Sequence, residues 1–199
     1  VRIVAESGQE AGPDEPGELL VRHAGADPRY GFFTEYYRDE AATAEVWAGG
    51  WFHTGDVVSR DVDGDMVFVD RKKNVIRRSG ENIAALEVES VLLGHPDVAS
   101  VAVTAVPDAV RGDEVLALIV PVQVPVDEAA RLSLAIGIVS WCLTQMAYYK
   151  PPGFVAFVEA LPLTSTQKIQ RGEVIALAAK LHLDEATVNT CSLKRRTKK

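Results

Sequence analysis

The order of apolar segments between residues 86 and 183 constrains this chain most. Residues 86–94 place Val88, Val91 and Leu92 on one helical face, and Gly94 with Pro96 stops the helix. Residues 99–106 and 114–122 are rich in Val, Ile and Leu and are bounded by Pro, Gly and Asp, so both read as strands. Residues 127–146 read as a long, largely apolar helix behind an acidic cap, residues 154–158 as a third strand, and residues 172–183 as a last helix. Elements in this order bury their apolar faces by packing helices on a small sheet. The expectation is an α+β domain from about residue 71, with a three-stranded sheet and flanking helices. Residues 1–70 differ in texture. A polar Gly/Pro loop runs to Gly17, and residues 18–22 form a short strand. Residues 38–46 form a helix with Asp39 near its N-cap, followed by strands at 51–59 and 66–70 joined by an Asp63-Gly64 turn. This part is β-rich with little continuous apolar surface, and it reads as the end of something larger.

Composition narrows the function classes. Hydrophobic residues make up 47% of the 199 and charged residues 25%, which is ordinary globular usage. Cys142 and Cys191 have no CxxC or histidine partner, which excludes a disulfide scaffold and the familiar zinc motifs. No metal site is expected on the chain. The DVDGD turn at 61–65 lacks the glycine and glutamate spacing of a calcium loop. The longest apolar stretch, residues 132–143, is interrupted by Ser133, Gly137 and Ser140, so no integral membrane segment is expected. The opening residues lack a secretory pattern, and a reducing, cytoplasmic setting is the expectation. Net charge is −7, yet the last nine residues carry five basic groups and no acid. The acidic body argues against nucleic acid as a partner. Residues 186–199 read as a basic, disordered tail.

Three patches carry candidate chemistry. The first is GWFHTGD at 50–56, where Asp56 follows a glycine beside aromatic residues. Such a carboxylate either accepts two hydrogen bonds from vicinal hydroxyls or satisfies its own turn. The second is the run DRKKN at 70–74, between the two textures. It is either a hinge whose cations touch phosphate or ribose, or a solvated charge run. The third is PLTSTQKIQR at 162–171. Its Lys168, in a polar turn ahead of a helix, is placed to neutralise charge developing on a phosphate. The loop lacks the P-loop pattern. Cys142 reads as a buried small hydrophobe, Glu87 and Glu89 as capping and surface groups, His53 as positional and Lys150 as a surface lysine.

Taken in order, GWFHTGD, DRKKNVIRRSGENIAALEVE and PLTSTQKIQR closely resemble the C-terminal third of the adenylate-forming superfamily: acyl-CoA synthetases, peptide-synthetase adenylation domains and beetle luciferases. GELLVR and GFFTEYYRDEAAT resemble stretches just upstream, so the resemblance runs over residues 16–183. The GENI form and YYKPPGFVAFVEALPLT lean toward acyl-CoA ligases, including the carnitine/crotonobetaine-CoA ligase branch. The resemblance implies two half-reactions. A carboxylic acid, fatty or other acyl, attacks ATP to give an acyl-adenylate; CoA thiol then takes the acyl group and AMP leaves. It implies that residues 1–70 end a large N-terminal adenylation domain and that residues 71–185 are a mobile C-terminal domain.

The resemblance also implies roles. Asp56 holds the ribose hydroxyls, Arg71 contacts the ribose, and Lys73 stands at the hinge, where the family uses Asp or Lys. Lys168 bridges carboxylate and α-phosphate, and Ser79, Gly80 and Glu81 line the pantetheine tunnel. Mg2+ is expected to come with ATP, not to be bound by this chain. Gln167 replaces the glycine usual before the lysine, and Asn74 a frequent aspartate. No phosphate loop or acyl pocket is visible in these residues, since both belong to the N-terminal domain. The chain alone is therefore expected to be inactive. The alternatives are an adenylation domain that loads a carrier protein and a stand-alone, non-catalytic binding domain.

Overall fold

In the computed structural model, which describes residues 1–194, four antiparallel strands form the first unit in the order β1-β2-β3-β4. They are β1 (Arg2–Val4), β2 (Gly17–Val21), β3 (Phe52–Arg60) and β4 (Met66–Arg71). β1 falls inside the opening stretch read as loop. Its three residues are extended because Ile3 pairs with Leu19 and buries its side chain, a pairing with no local signature. Helix α1 (Glu40–Val46) starts where expected, with the Asp39 carboxylate accepting from the Ala42 amide. Behind it Trp47 is buried against Phe32 and Phe52. In the β3–β4 turn the Asp61 carboxylate accepts from the Asp63 and Asp65 amides.

The chain divides into units Val1–Lys73 and Asn74–Lys199, just past the change of texture. The second unit contains β5 (Val75–Arg78), β6 (Glu81–Ala84), α2 (Ala85–Leu93), β7 (Val98–Asp108), β8 (Gly112–Pro121), α3 (Glu128–Gln145), β9 (Phe154–Phe157), α4 (Arg171–Leu181) and β10 (Val188–Asn189). The architecture is the expected α+β. The three strands read from sequence, β7, β8 and β9, are joined through β8 within a six-stranded sheet. β7 and β8 pair antiparallel along their length, and β9 joins β8 in parallel through the α3 crossover. The additional strands are the β5–β6 hairpin, hidden in sequence by its basic residues, and the short β10.

β8 reads as an unbroken apolar run because both of its faces are covered. Val115, Ala117 and Ile119 face α2 and α3, packing on Val88, Leu92, Ile138 and Val139. Leu116 and Leu118 face the other way, onto Val174 and Ala178 of α4. Asp127 caps α3 by accepting from the Ala130 amide. Among the described residues no helix is long and apolar enough to cross a membrane.

The disorder expected from residue 186 does not hold for residues 186–194. Residues 186–194 are ordered: Val188 pairs with Val155 and Asn189 with Phe154, and Lys194 is buried. The pairing to β9 and a buried ion pair on Lys194 hold this segment, and neither is visible in its basic composition. Residues 195–199 of the expected tail lie outside the described residues.

Candidate functional site

In the first unit a bulge presents Asp56. β2 and β3 pair at Glu18–Val57 and again at Leu20–His53. Leu19 alone therefore faces Thr54, Gly55 and Asp56. The extra residues fit because Gly55 takes φ +69, a left-handed conformation that glycine adopts without steric penalty. The Thr54 hydroxyl donates to the Leu19 carbonyl at 2.8 Å and accepts from the Asp56 amide at 3.0 Å, satisfying groups that the bulge takes out of the ladder. Asp56 lies opposite Arg71 across the β3–β4 ladder. Arg71 Nε donates to Asp56 Oδ1 at 2.8 Å, and its Nη1 donates to the Thr54 carbonyl at 2.9 Å. Half of the Arg71 side chain is exposed, so the pair contributes about 0–1 kcal/mol. A carboxylate acceptor beside a guanidinium donor suits a vicinal diol.

The next residue is held from the same unit. Lys72 Nζ donates to Glu18 Oε2 at 2.7 Å, and His53 Nδ1 lies 3.3 Å from the same oxygen. Burial by itself raises the Glu18 carboxyl; the Lys72 and His53 hydrogen bonds and charges outweigh it and hold the group below the usual carboxylate value. His53 thus lies against Glu18 in the first unit. Residues Lys72–Asn74 form a 3₁₀ turn, and the boundary between the units follows Lys73.

In the second unit Ser79 and Gly80 form the two-residue turn of the β5–β6 hairpin. Their φ values are +51 and +83, the pattern of a primed hairpin turn. A side chain at Gly80 would meet open space, so the left-handed backbone alone demands glycine there. The Ser79 amide donates to the Arg111 carbonyl at 2.9 Å, and Arg78 pairs with Glu81.

Lys168 sits in a closed loop. Leu163 bridges Ile169, and the Thr164 amide donates to the Lys168 carbonyl at 2.7 Å. The Lys168 amide donates to the Thr164 hydroxyl at 3.1 Å. Gln167, in the position of the usual glycine, takes φ +61. Among the described residues the exposed Lys168 ammonium has no partner. The loop's far end is anchored by Arg171, whose Nη1 and Nη2 donate to the two carboxylate oxygens of Glu89 at 2.6 and 2.7 Å. The Val103 amide also donates to Glu89 Oε1. Glu89 is buried and does not belong to the surface. Its spacing with Ala85, Val88 and Leu92, which puts it on the core stripe of α2, is the signal that reveals this. Lys150 is occupied by Glu87, with Nζ 2.8 Å from Oε2.

Asp56 and Arg71 are therefore brought together in one unit, while Lys168 and the Ser79–Gly80 turn belong to the other. A carboxylate–guanidinium pair, a boundary turn and an anchored lysine loop carry the three motifs that resemble the C-terminal portion of the adenylate-forming superfamily. More particularly, residues 87–168 match the AMP-binding enzyme C-terminal domain, and the chain belongs to that superfamily. It is 40% identical over 177 residues to a feruloyl-CoA synthase of Amycolatopsis, covering 87% of this chain and 33% of that one. Two solved structures share the fold. One is o-succinylbenzoate CoA synthetase of Bacillus subtilis with its acyl-adenylate intermediate, at TM-score 0.69, 30% identity, and 87% and 33% coverage of this chain and that one. The other is ATP-bound MatB of Rhodopseudomonas palustris, at TM-score 0.72, 27% identity, and 91% and 34% coverage. The chain spans about a third of the length of the curated relatives it matches.

Proposed function

We propose that this chain is the C-terminal part of an AMP-forming acid–CoA ligase. The cross-strand Asp56–Arg71 pair, lifted by the Gly55 bulge, carries the reading, because it offers the acceptor and donor that a ribose edge requires. Asp56 accepts from both ribose hydroxyls, and Arg71 turns from Asp56 to donate to the nucleotide. Lys168 bridges the substrate carboxylate and the α-phosphate. The carboxylate oxygen attacks the phosphorus, the bond to pyrophosphate breaks, and the ammonium stabilises the charge that gathers on the phosphoryl oxygens. Mg2+ enters as the partner of the ATP phosphates.

In the second half-reaction CoA sulfur bonds to the acyl carbon and AMP leaves. The thiol proton goes to solvent or to the leaving phosphate. The Ser79-Gly80-Glu81 turn lines the path of the pantetheine arm, and Lys73 absorbs the dihedral change between the two steps. A thiol substrate and two free cysteines fit a reducing, cytoplasmic setting.

Single-turnover kinetics of each half-reaction, in the protein that carries this chain, tests the reading. Lys168→Ala is expected to slow adenylation by about 10²–10³ and to leave conversion of supplied acyl-adenylate by CoA far less affected. Equal losses in both steps would reduce Lys168 to a general binding or folding role. Residues 1–199 alone are expected to give no pyrophosphate exchange with any acid; clear turnover would overturn the division of labour.

A further inference from the structure

One buried ionic cluster is not used by the two half-reactions as described. Glu114, at the start of β8, is fully buried. Arg78 Nε donates to its two oxygens at 2.9 and 2.8 Å, and Lys194 Nζ donates to Oε1 at 2.6 Å. Arg111 Nε lies 4.0 Å from Oε2, and the Val115 amide donates to Oε1. The site is made close by Gly153, where an added Cβ would stand 2.5 Å from the Glu114 side chain and 2.8 Å from Cys191 Sγ. The Thr190 amide donates to the Gly153 carbonyl and the Thr190 hydroxyl to the Pro152 carbonyl, so residues 188–194 run as a strap over β9. Burial pushes Lys194 down to about 8, with the Glu114 carboxylate acting against it. Burial raises Glu114, but Lys194, the Val115 amide and Arg78 outweigh that and keep it low.

Both supports of the Ser79–Gly80 turn converge on this carboxylate. Arg78 is the residue before the turn and pairs with Glu81 after it. Arg111 supplies the carbonyl that accepts from the Ser79 amide. Lys194 is the third cation on the same carboxylate and comes from the far end of the strap. A buried charge left without its partner forces its neighbours to rearrange, because its desolvation is no longer compensated. Removing the Lys194 ammonium therefore redistributes Glu114 between Arg78 and Arg111, and the turn between them shifts.

We infer that Lys194 is a positioning residue for the thioester-forming step, acting through Glu114 on Arg78, Arg111 and the Ser79-Gly80-Glu81 turn. This rests on the acid–CoA ligase reading. The test uses the full protein that carries this chain, with ATP, its acid and CoA. Lys194→Met is expected to raise the KM for CoA roughly tenfold while the KM for ATP stays within about twofold, since the loss of about one well-placed contact with the pantetheine arm costs that order in binding. Lys194→Arg is expected to return the CoA value to within about twofold of wild type by restoring the charge. If Lys194→Met does not fold, Lys194→Gln keeps a donor to Glu114 without the charge and is measured instead. An unchanged KM for CoA in a folded neutral variant overturns the inference, as do proportional losses in both half-reactions or failure of both neutral variants to fold. If the wild-type protein itself makes no thioester from acyl-adenylate and CoA, the ligase reading falls, a result separate from any variant.

Discussion

Two glycine-to-alanine substitutions that are chemically identical should move stability in opposite directions. At Gly153 the new methyl carbon would lie 2.5 Å from both Cγ and Cδ of Glu114, well inside van der Waals contact. Glu114 cannot swing aside cheaply, because Arg78, Lys194 and the Val115 amide hold its carboxylate in a site closed to solvent. Cys191 Sγ, at 2.8 Å from the added carbon, blocks a second direction, and the strap held by Thr190 blocks backbone retreat. Overpacking of this kind costs about 1–3 kcal/mol. At Gly137, exposed within α3, an added Cβ meets nothing within 4 Å. There alanine recovers helix propensity of about 1 kcal/mol. Thermal unfolding followed by circular dichroism reads both: Gly153→Ala should lower Tm by roughly 2–12 °C and Gly137→Ala should raise it by roughly 3 °C. If Gly153→Ala melted with the wild type, the Glu114 site would be looser than its geometry states, and the coupling of the strap to the hairpin would fail with it.

Acid should weaken the first unit partly through Glu18. Its folded carboxyl ionises more readily than the unfolded value of 4.5, so its contribution is complete above that value and drains away as pH falls through the lower folded value. Glu18→Gln should flatten the fall in urea midpoint between about pH 5 and about pH 3; an unaltered slope would mean that Lys72 and His53 do not hold the charge. Gln167 occupies a left-handed site, φ +61, so Gln167→Val should slow adenylation and lower stability by about 1 kcal/mol, while Gln167→Gly keeps both near wild type. Equal behaviour of the two variants would remove the backbone argument. Lys73→Pro fixes φ and deletes a donor in the Lys72–Asn74 turn, and should slow the passage from acyl-adenylate to thioester. Normal rates in both half-reactions would move the hinge elsewhere.

Features set by neighbours along the chain are the ones that local physics makes legible in these residues. Asp39 and Asp127 announced their helices because a cap needs only a side chain and an amide three residues on. The apolar runs of β7, β8 and α3 marked the core because solvent exclusion acts on every residue of a run alike. The three motifs were legible for the same reason, each lying within a single stretch of chain. Other features depend on partners distant in the chain. β1 is extended only because Ile3 finds Leu19, and the basic residues of β5 hid its alternation. Glu89 is buried because Arg171, 82 residues away, meets it in the fold. Glu114 collects Arg78 from 36 residues upstream and Lys194 from 80 downstream, and this pairing turned a basic tail segment into an ordered strap. A charge's partner depends on which strands become neighbours, and chain spacing does not encode that when the loops between them are long.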